Sequence, residues 1–208
     1  MRASASIIIC FATITASPLA AHAQEFTHAG PIATLSGPVR HDDKDKFQGA
    51  FARVGDDMFI SGQPTEAALR ELKAQGVTTV VNLRTPPEMA KVNFDEAALV
   101  KELGMTYVYL PVRGDSLFPY APATVAKFND AVSHAKGKVL LHCTVAWRAS
   151  HLWAAYLIEA RHVDVEAALA NARAIALADG DPRMLGMGPQ PVEEFLGHRL
   201  PTLGHPKR

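Results

Sequence analysis

The run from Val77 to Leu83 constrains the fold of this chain more than any other segment. It is rich in β-branched residues and almost continuously apolar. Such a run is typical of a strand that is covered on both faces, as in a parallel sheet packed between helices. Gly76 stands directly before it, where a glycine commonly ends a helix. The segment therefore predicts a buried strand that follows a helix.

Strands and helices alternate along the chain around this run. Shorter apolar strands are predicted at 58–60, 105–112 and 138–141, and helices are predicted to begin near residues 65, 95, 122, 148, 164 and 192. The helix from Pro122 places Val125 and Phe128 on one apolar stripe. Alternation with short links predicts an α/β fold in three layers, with a mostly parallel sheet flanked by helices.

Three chemically active side chains follow predicted strand ends. Arg84, Asp115 and Cys143 each come just after a strand. Because ligands bind beyond the carboxyl ends of the strands in such sheets, we expect these residues at one rim. Arg84 is either a substrate contact or a structural salt link there.

The segment from Cys143 to Arg148 joins a predicted strand to a predicted helix. Its backbone N–H groups can converge on one anion, and the helix N-terminus and the guanidinium both favour a thiolate. The guanidinium can also bind two oxygens of one phosphate. A general acid must protonate the leaving oxygen, and Asp115, in a turn-rich loop beside Gly114, is the candidate.

The N-terminal residues have the pattern of a secretory signal peptide. Arg2 precedes an apolar stretch at 7–16, and Ala21-His22-Ala23 is a small-x-small cleavage site. We predict a signal peptide over residues 1–23, a loose N-terminal arm over 24–50 and a single α/β domain over 51–208. The protein is then periplasmic or secreted.

Cleavage of this leader would leave Cys143 as the only cysteine, since the second one, Cys10, lies within the leader. A lone cysteine cannot form an internal disulfide, so it is either buried and inert or kept for its reactivity. Loss of Arg2 leaves 20 basic residues against 21 acidic ones. This balance gives no electrostatic case for a nucleic-acid or anionic-membrane partner.

Motifs on three strands together resemble a known superfamily. They are Phe59-Ile60-Ser61-Gly62-Gln63-Pro64, Val80-Val81-Asn82-Leu83-Arg84, and Leu140-Leu141-His142-Cys143 followed by Arg148. From about Arg53 to Ala160 the chain resembles the cysteine-dependent protein phosphatases. The resemblance is greatest to the dual-specificity-like members and to the phosphatase-like domain found with β-lactamase-like hydrolases in bacteria.

This resemblance implies a phosphatase that needs no metal or other cofactor and acts on a phosphorylated small molecule or a phosphoprotein, and the predicted signal peptide implies that it is exported. Cys143 would be the nucleophile and form a phosphocysteine. Arg148 would hold the phosphoryl oxygens, Asp115 would act as acid and then base, and His142 would orient the loop. The substrate contacts would come from the loop residues Thr144, Val145, Ala146 and Trp147.

The loop departs from the superfamily pattern in three ways. Four residues separate Cys143 from Arg148 where most members have five, and none of them is glycine. Ala149 stands where a hydroxyl usually eases release of the thiolate. Ser150 is one position late, about 100° around the helix.

These departures keep two alternatives open. The first is a sulfurtransferase resembling rhodaneses, which commonly use a six-residue loop that starts at cysteine; it would carry a persulfide on Cys143. The second is a phosphatase-like module that binds anions at the loop without turnover.

Overall fold

The computed structural model describes residues 36–177 and 190–200 of the chain. The predicted signal peptide lies outside these residues. The helices and strands, in chain order, are β1 (Pro38–His41), β2 (Phe51–Val54), β3 (Met58–Ser61), α1 (Glu66–Ala74), β4 (Val77–Asn82), α2 (Pro86–Met89), α3 (Glu96–Glu102), β5 (Thr106–Tyr109), α4 (Pro122–Ser133), β6 (Lys138–His142), α5 (Trp147–Glu159), α6 (Val165–Ile175) and α7 (Gln190–Leu196).

The six strands form one mixed sheet in the order β1-β2-β3-β6-β4-β5. The pairs β3–β6, β6–β4 and β4–β5 are parallel, whereas β1–β2 and β2–β3 are antiparallel. The β4 strand predicted from the Val77 run lies beside β6 inside the sheet. The predicted mostly parallel α/β fold is therefore confirmed.

Side chains of the central strands alternate between two hydrophobic cores. In β6, Leu141 belongs to the core shared with α4, α5, α6 and α7, and Leu140 belongs to the core shared with α1 and α3. In β4, Val81 belongs to the same core as Leu141, and Val80 belongs to the same core as Leu140. This alternation confirms that helices cover both faces of the sheet.

The N-terminal arm is partly structured, which corrects our prediction of a loose segment up to residue 50. β1 pairs with β2 from Pro38 to His41, and Phe47 is buried and stacks on Phe51 at a ring-centroid distance of 4.0 Å. β1 was missed because it is an edge strand with mostly exposed side chains, so it has no apolar alternation.

Two helix boundaries follow from capping residues that the sequence displays. The side chain of Thr65 accepts a hydrogen bond from Ala68 N at the start of α1, and that of Asp164 accepts one from Ala167 N at the start of α6. The short helix α2 was not predicted. None of the helices in the described part of the chain has the length and apolar character needed to cross a membrane.

Candidate active site

The loop between β6 and α5 has the geometry of an anion-binding nest. Ala146 has a left-handed backbone, with φ of 71°, directly before the helix begins at Trp147. Apart from the isolated antiparallel bridge between Val145 and Gly62, the backbone N–H groups from Thr144 to Arg148 have no backbone acceptor in the described residues. A left-handed residue next to a helix N-terminus turns successive N–H groups toward one point. Cys143 is buried at the start of this loop, with 1% of its surface exposed.

Close contact with the end of β3 holds the loop in this shape. Cys143 N donates to Ser61 O at 3.2 Å, and Gln63 N donates to Thr144 O at 2.9 Å. Gly62 lies between these bonds, and a Cβ atom there would stand 1.5 Å from Gln48 O. Only glycine allows the backbone segments to approach this closely.

The Arg148 guanidinium is turned into the protein and is only 8% exposed. Nη1 donates to Leu83 O at 3.3 Å, to Val112 O at 2.7 Å and to Glu88 Oε2 at 3.0 Å. Nη2 donates to Glu88 Oε1 and, at 3.0 Å, to the Thr144 hydroxyl at the other end of the loop. The Nε–H donates to no atom of the described residues. Arg148 is therefore fixed by its terminal nitrogens, and its Nε–H remains free for a ligand.

The Cys143 thiol and the Arg148 guanidinium lie close enough to interact electrostatically. Burial opposes the charge on Arg148, but the neighbouring Cys143 and Glu88 outweigh it and raise the pKa of Arg148. Tyr120 is near the same pair, and burial, the largest cause, raises its pKa to about 12.

Glu88, at the end of the short helix α2, is a site residue that sequence reasoning missed. Its Oε2 accepts hydrogen bonds from Thr85 N and Thr85 Oγ1, both at 2.8 Å, and its Oε1 accepts one from Thr144 Oγ1 at 2.8 Å. Burial would raise the pKa of Glu88, but the bonds from Arg148 and Thr85 outweigh burial and lower it to about 2. The spacing of Thr85 and Glu88, that of a capping box, was the available sequence signal.

This lowered pKa makes Glu88 a source of stability that depends on pH. A carboxylate whose pKa is lowered on folding stabilises the protein fully above its unfolded value near 4.5, and this contribution is lost as the pH falls toward about 2. With allowance for a side chain that is 24% exposed, we expect Glu88→Gln to lower the free energy of unfolding by about 2 kcal/mol at pH 7. The deficit should shrink to less than half of that at pH 3, as measured by urea denaturation.

The control for this experiment is Glu102→Gln, which removes an exposed ion pair with Arg70 and should change stability by less than about 1 kcal/mol. A Glu88→Gln deficit of the same size at pH 7 and pH 3 would contradict the assigned role of Glu88.

His142 and Arg84 belong to a buried polar network behind the loop. His142 Nδ1 lies 3.4 Å from Cys143 O, and its Nε2 lies 3.0 Å from Glu96 Oε1. Arg84 donates to Gln63 Oε1 and, at 2.8 Å, to Glu88 O, and burial lowers its pKa. Arg84 is 5% exposed, and these two hydrogen bonds hold it within the protein, as in a structural role.

Asp115 lies in an exposed loop after Val112. Its Oδ1 accepts hydrogen bonds from Leu117 N at 3.0 Å and Phe118 N at 2.8 Å, so the carboxylate organises its own loop. The base of this loop touches the site, because Val112 O accepts from Arg148. The acid role of Asp115 stays a prediction.

The other loop side chains have diverse surroundings. Val145 is 43% exposed, whereas Trp147 is buried, with its ring centroid 4.1 Å from that of His151. Ser150 Oγ donates to Ala146 O at 2.9 Å, one helical turn back. This bond directs the Ser150 hydroxyl to the backbone of the loop, as suits a supporting residue.

A cavity of about 830 Å³ borders the loop. Thr144, Glu88 and Arg84 line it on the side of the loop. Its other lining residues include apolar side chains and lysines, among them Phe47, Val92, Phe94, Lys44 and Lys91. The cavity is large enough for a small organic group and carries charges of both signs.

The sequence of this chain is similar to those of phosphatase-like proteins. Residues 50–160 match the family described as the phosphatase-like domain of beta-lactamase hydrolase-like proteins. Two beta-lactamase hydrolase-like proteins of Xylella fastidiosa, from strains Temecula1 and 9a5c, are each 30% identical over 103 residues. The match covers 49% of this chain and 23% of each relative, so this chain corresponds to about a quarter of their length.

Solved structures share the fold at low sequence identity. P. aeruginosa TpbA has a TM-score of 0.57 at 20% identity, with 79% of this chain and 91% of that chain covered. PTPMT1 in complex with PI(5)P has a TM-score of 0.58 at 16% identity, with 71% and 92% covered. Tk-PTP has a TM-score of 0.54 at 17% identity, with 71% and 94% covered. The chain therefore belongs to the phosphatase-like domain family of beta-lactamase hydrolase-like proteins and has the fold of cysteine-based, dual-specificity-like phosphatases.

Proposed function

We propose that this protein is an exported cysteine-dependent phosphatase that hydrolyses phosphomonoesters through a phosphocysteine intermediate. The observation that carries the proposal is the loop from Cys143 to Arg148. It combines unpaired backbone N–H groups, a fixed guanidinium and a thiol in one strand-to-helix turn. A phosphate dianion matches this set, since it offers several acceptor oxygens and an electrophilic phosphorus.

The phosphate binds to the backbone N–H groups of the loop and to the Nε side of the Arg148 guanidinium. The phosphate oxygens accept from the N–H groups of the loop and from Arg148 Nε, while Glu88 keeps the terminal nitrogens in place. Arg148 Nη2 donates to Thr144 Oγ1 in the free protein. When phosphate binds, this nitrogen donates to a phosphate oxygen instead. These donors neutralise the charge on the phosphoryl oxygens, which lowers the barrier to attack by an anionic thiolate.

The reaction then proceeds in two displacements at phosphorus. In the first, Cys143 Sγ forms a bond to phosphorus, the bond to the leaving oxygen breaks, and Asp115 gives its proton to that oxygen. In the second, Asp115 takes a proton from water as the water oxygen bonds to phosphorus. The P–S bond breaks, inorganic phosphate leaves and the thiolate is regenerated.

Three features support Asp115 as the acid and base. It follows β5 on a loop whose first residues contact Arg148 through Val112 O. Gly114 packs so closely on Tyr120 that a Cβ would stand 2.5 Å from its ring, and Tyr120 in turn lies near Cys143. The carboxylate is exposed and can turn toward a bound substrate.

The substrate is a phosphorylated small molecule or a phosphoprotein. The cavity beside Thr144 offers aromatic and cationic side chains to the remainder of the substrate, that is, to the group to which the phosphate is attached. Structures of relatives with this fold hold ligands of these two kinds: TpbA is in complex with phosphotyrosine and PTPMT1 with PI(5)P. The signal-peptide pattern predicted at residues 1–23 supports a periplasmic or secreted site of action.

The sulfurtransferase alternative is not favoured, because the matching family and the solved neighbours are phosphatase-like. The anion-binding module keeps two arguments: the loop contains no glycine, and Ala149 stands where a hydroxyl usually eases release of the thiolate. Both alternatives can be distinguished from a phosphatase by the products formed: a sulfurtransferase forms thiocyanate from thiosulfate and cyanide, and a binding module forms no product.

The test uses purified chain lacking residues 1–23, a chelator and two assays, one with p-nitrophenyl phosphate and one with thiosulfate and cyanide. We expect turnover of p-nitrophenyl phosphate and no thiocyanate from thiosulfate and cyanide. Thiocyanate formation without phosphate release would decide for sulfur transfer. Phosphate binding without either product would decide for the binding module.

A further inference from the structure

Glu96 is a fully buried carboxylate that the reaction scheme does not use. It is the first residue of α3 and is 1% exposed. Oε1 accepts from Asn82 Nδ2 at 2.9 Å and lies 3.0 Å from His142 Nε2, while Oε2 accepts from Gln63 Nε2. Its three partners follow or end the three central strands β4, β6 and β3. One carboxylate thus links the strand ends that form the rim.

The surroundings keep Glu96 ionised. Burial would raise the pKa of Glu96, but the charge and hydrogen bond of His142, with the bonds from Gln63 and Asn82, outweigh burial and lower it. The two ring nitrogens of His142 face acceptors, Glu96 Oε1 and Cys143 O. With Glu96 Oε1 on one side of the ring and Cys143 O on the other, Glu96 orients His142 against the backbone of the nucleophile.

A second branch of the network leads from Glu96 to Arg148. Gln63 donates to Glu96 and accepts from Arg84 Nη1, and Arg84 Nη2 donates to Glu88 O at 2.8 Å. The Glu88 carboxylate then holds both terminal nitrogens of Arg148. The links from Glu96 to Gln63, Arg84 and His142 join side chains, and the two branches end on the backbone carbonyls of Glu88 and Cys143, so a change at Glu96 propagates toward both ends of the loop.

We propose that Glu96 is the positioning residue of the site: its carboxylate fixes Cys143 through His142 and Arg148 through Gln63, Arg84 and Glu88. This inference rests on the proposed phosphatase activity. It assigns Glu96 no contact with the substrate. Its consequence is a loss of kcat, rather than of folding alone, when the acceptor pattern of Glu96 is disturbed.

The variant Glu96→Gln disturbs this pattern with almost no change in shape. If the new amide keeps its oxygen toward His142, its nitrogen turns toward the Gln63 nitrogen, and two donors then face each other. If the Gln63 amide rotates to accept, its nitrogen faces Arg84 instead. We expect kcat for p-nitrophenyl phosphate to fall by about 10- to 100-fold and KM to change by less than about 3-fold, since misplaced reacting groups slow chemistry more than binding.

The double variant Gln63→Glu with Glu96→Gln restores the pattern toward Arg84 and His142, and it loses only the bond from Gln63 Nε2 to Pro64 O at 3.1 Å. The new carboxylate at position 63 accepts from Arg84 and from the new amide at position 96, whose oxygen still accepts from His142 and Asn82. We expect this exchange to recover kcat to within about 5-fold of the wild-type value, because hydrogen-bonded neighbours show strongly non-additive effects. A purely structural requirement for the original buried charge at position 96 predicts no recovery.

Asp95→Ala is the matched control on the same helix. Its side chain caps α3 by accepting from Ala98 N at 3.0 Å and has no part in the network. We expect a lower melting temperature and an unchanged kcat per folded molecule, with the folded fraction measured by circular dichroism at the assay temperature.

The outcomes separate this inference from the proposed function. An inactive wild-type protein removes the proposed function itself. An active wild type with unchanged kcat in Glu96→Gln overturns only the role of Glu96. If the single variant does not fold, the double variant decides: a folded double variant with less than about a tenth of the wild-type kcat overturns the inference.

Discussion

We expect Arg148→Lys to lower kcat/KM for aryl phosphates by at least about 10³-fold. The guanidinium donates to two backbone carbonyls and to both oxygens of Glu88 while its Nε–H stays available for a ligand. A lysine ammonium has three donors on one atom, so it cannot satisfy these acceptors and bind two phosphate oxygens at the same time. The charge is kept, and the geometry is lost.

The control for this variant is Arg70→Lys. Arg70 forms an exposed ion pair with Glu102 at 3.4 Å, so the same exchange should leave kcat/KM unchanged. Both variants are compared by steady-state assays at equal concentrations of folded protein. An Arg148→Lys protein with wild-type activity would mean that phosphate does not bind at this loop.

The second large effect is expected for Cys143→Ser, which should lower kcat by at least about 10⁴-fold. Serine has nearly the same size, but its hydroxyl is not ionised near neutral pH and is a much weaker nucleophile. The loop backbone and Arg148 are untouched by this change. We therefore expect the variant to bind inorganic phosphate with a dissociation constant within about 3-fold of the wild-type value.

This pairing of lost turnover with kept binding separates a nucleophile from a structural cysteine. Cys143 is buried in the core cluster that also contains Leu141, so a merely structural role would appear as reduced thermal stability with preserved kcat. Turnover and calorimetric titration on the same preparation measure the two properties. Wild-type kcat in the serine variant would place the chemistry elsewhere.

The central strands and the loop from Cys143 to Arg148 could be predicted from the sequence because their signals are local. The apolar runs of β4 and β6 are nearly continuous, and each is followed by a polar residue at the rim. Parallel strands bring their carboxyl ends to one edge, so the proximity of the two rim segments followed from topology. The capping side chains Thr65 and Asp164 fixed two helix starts in the same local way.

Glu88 and Glu96 could not be identified as site residues because their environments are nonlocal. Glu96 has the position of an ordinary acidic residue in the first turn of a helix, and such residues are usually exposed. Its burial depends on Gln63, Asn82 and His142, which lie 33, 14 and 46 residues away in the chain. No short stretch of the sequence contains Glu96 together with these partners.

The most direct test of the phosphatase account is the location of the phosphoryl group during turnover. Wild-type protein is mixed with an aryl phosphate whose leaving group departs rapidly, quenched in acid within the first turnovers and digested for mass spectrometry. We expect a phosphoryl group on the peptide that contains Cys143 and no such group in the Cys143→Ser protein. Turnover with an unmodified Cys143, or with the phosphoryl group on another residue, would contradict it.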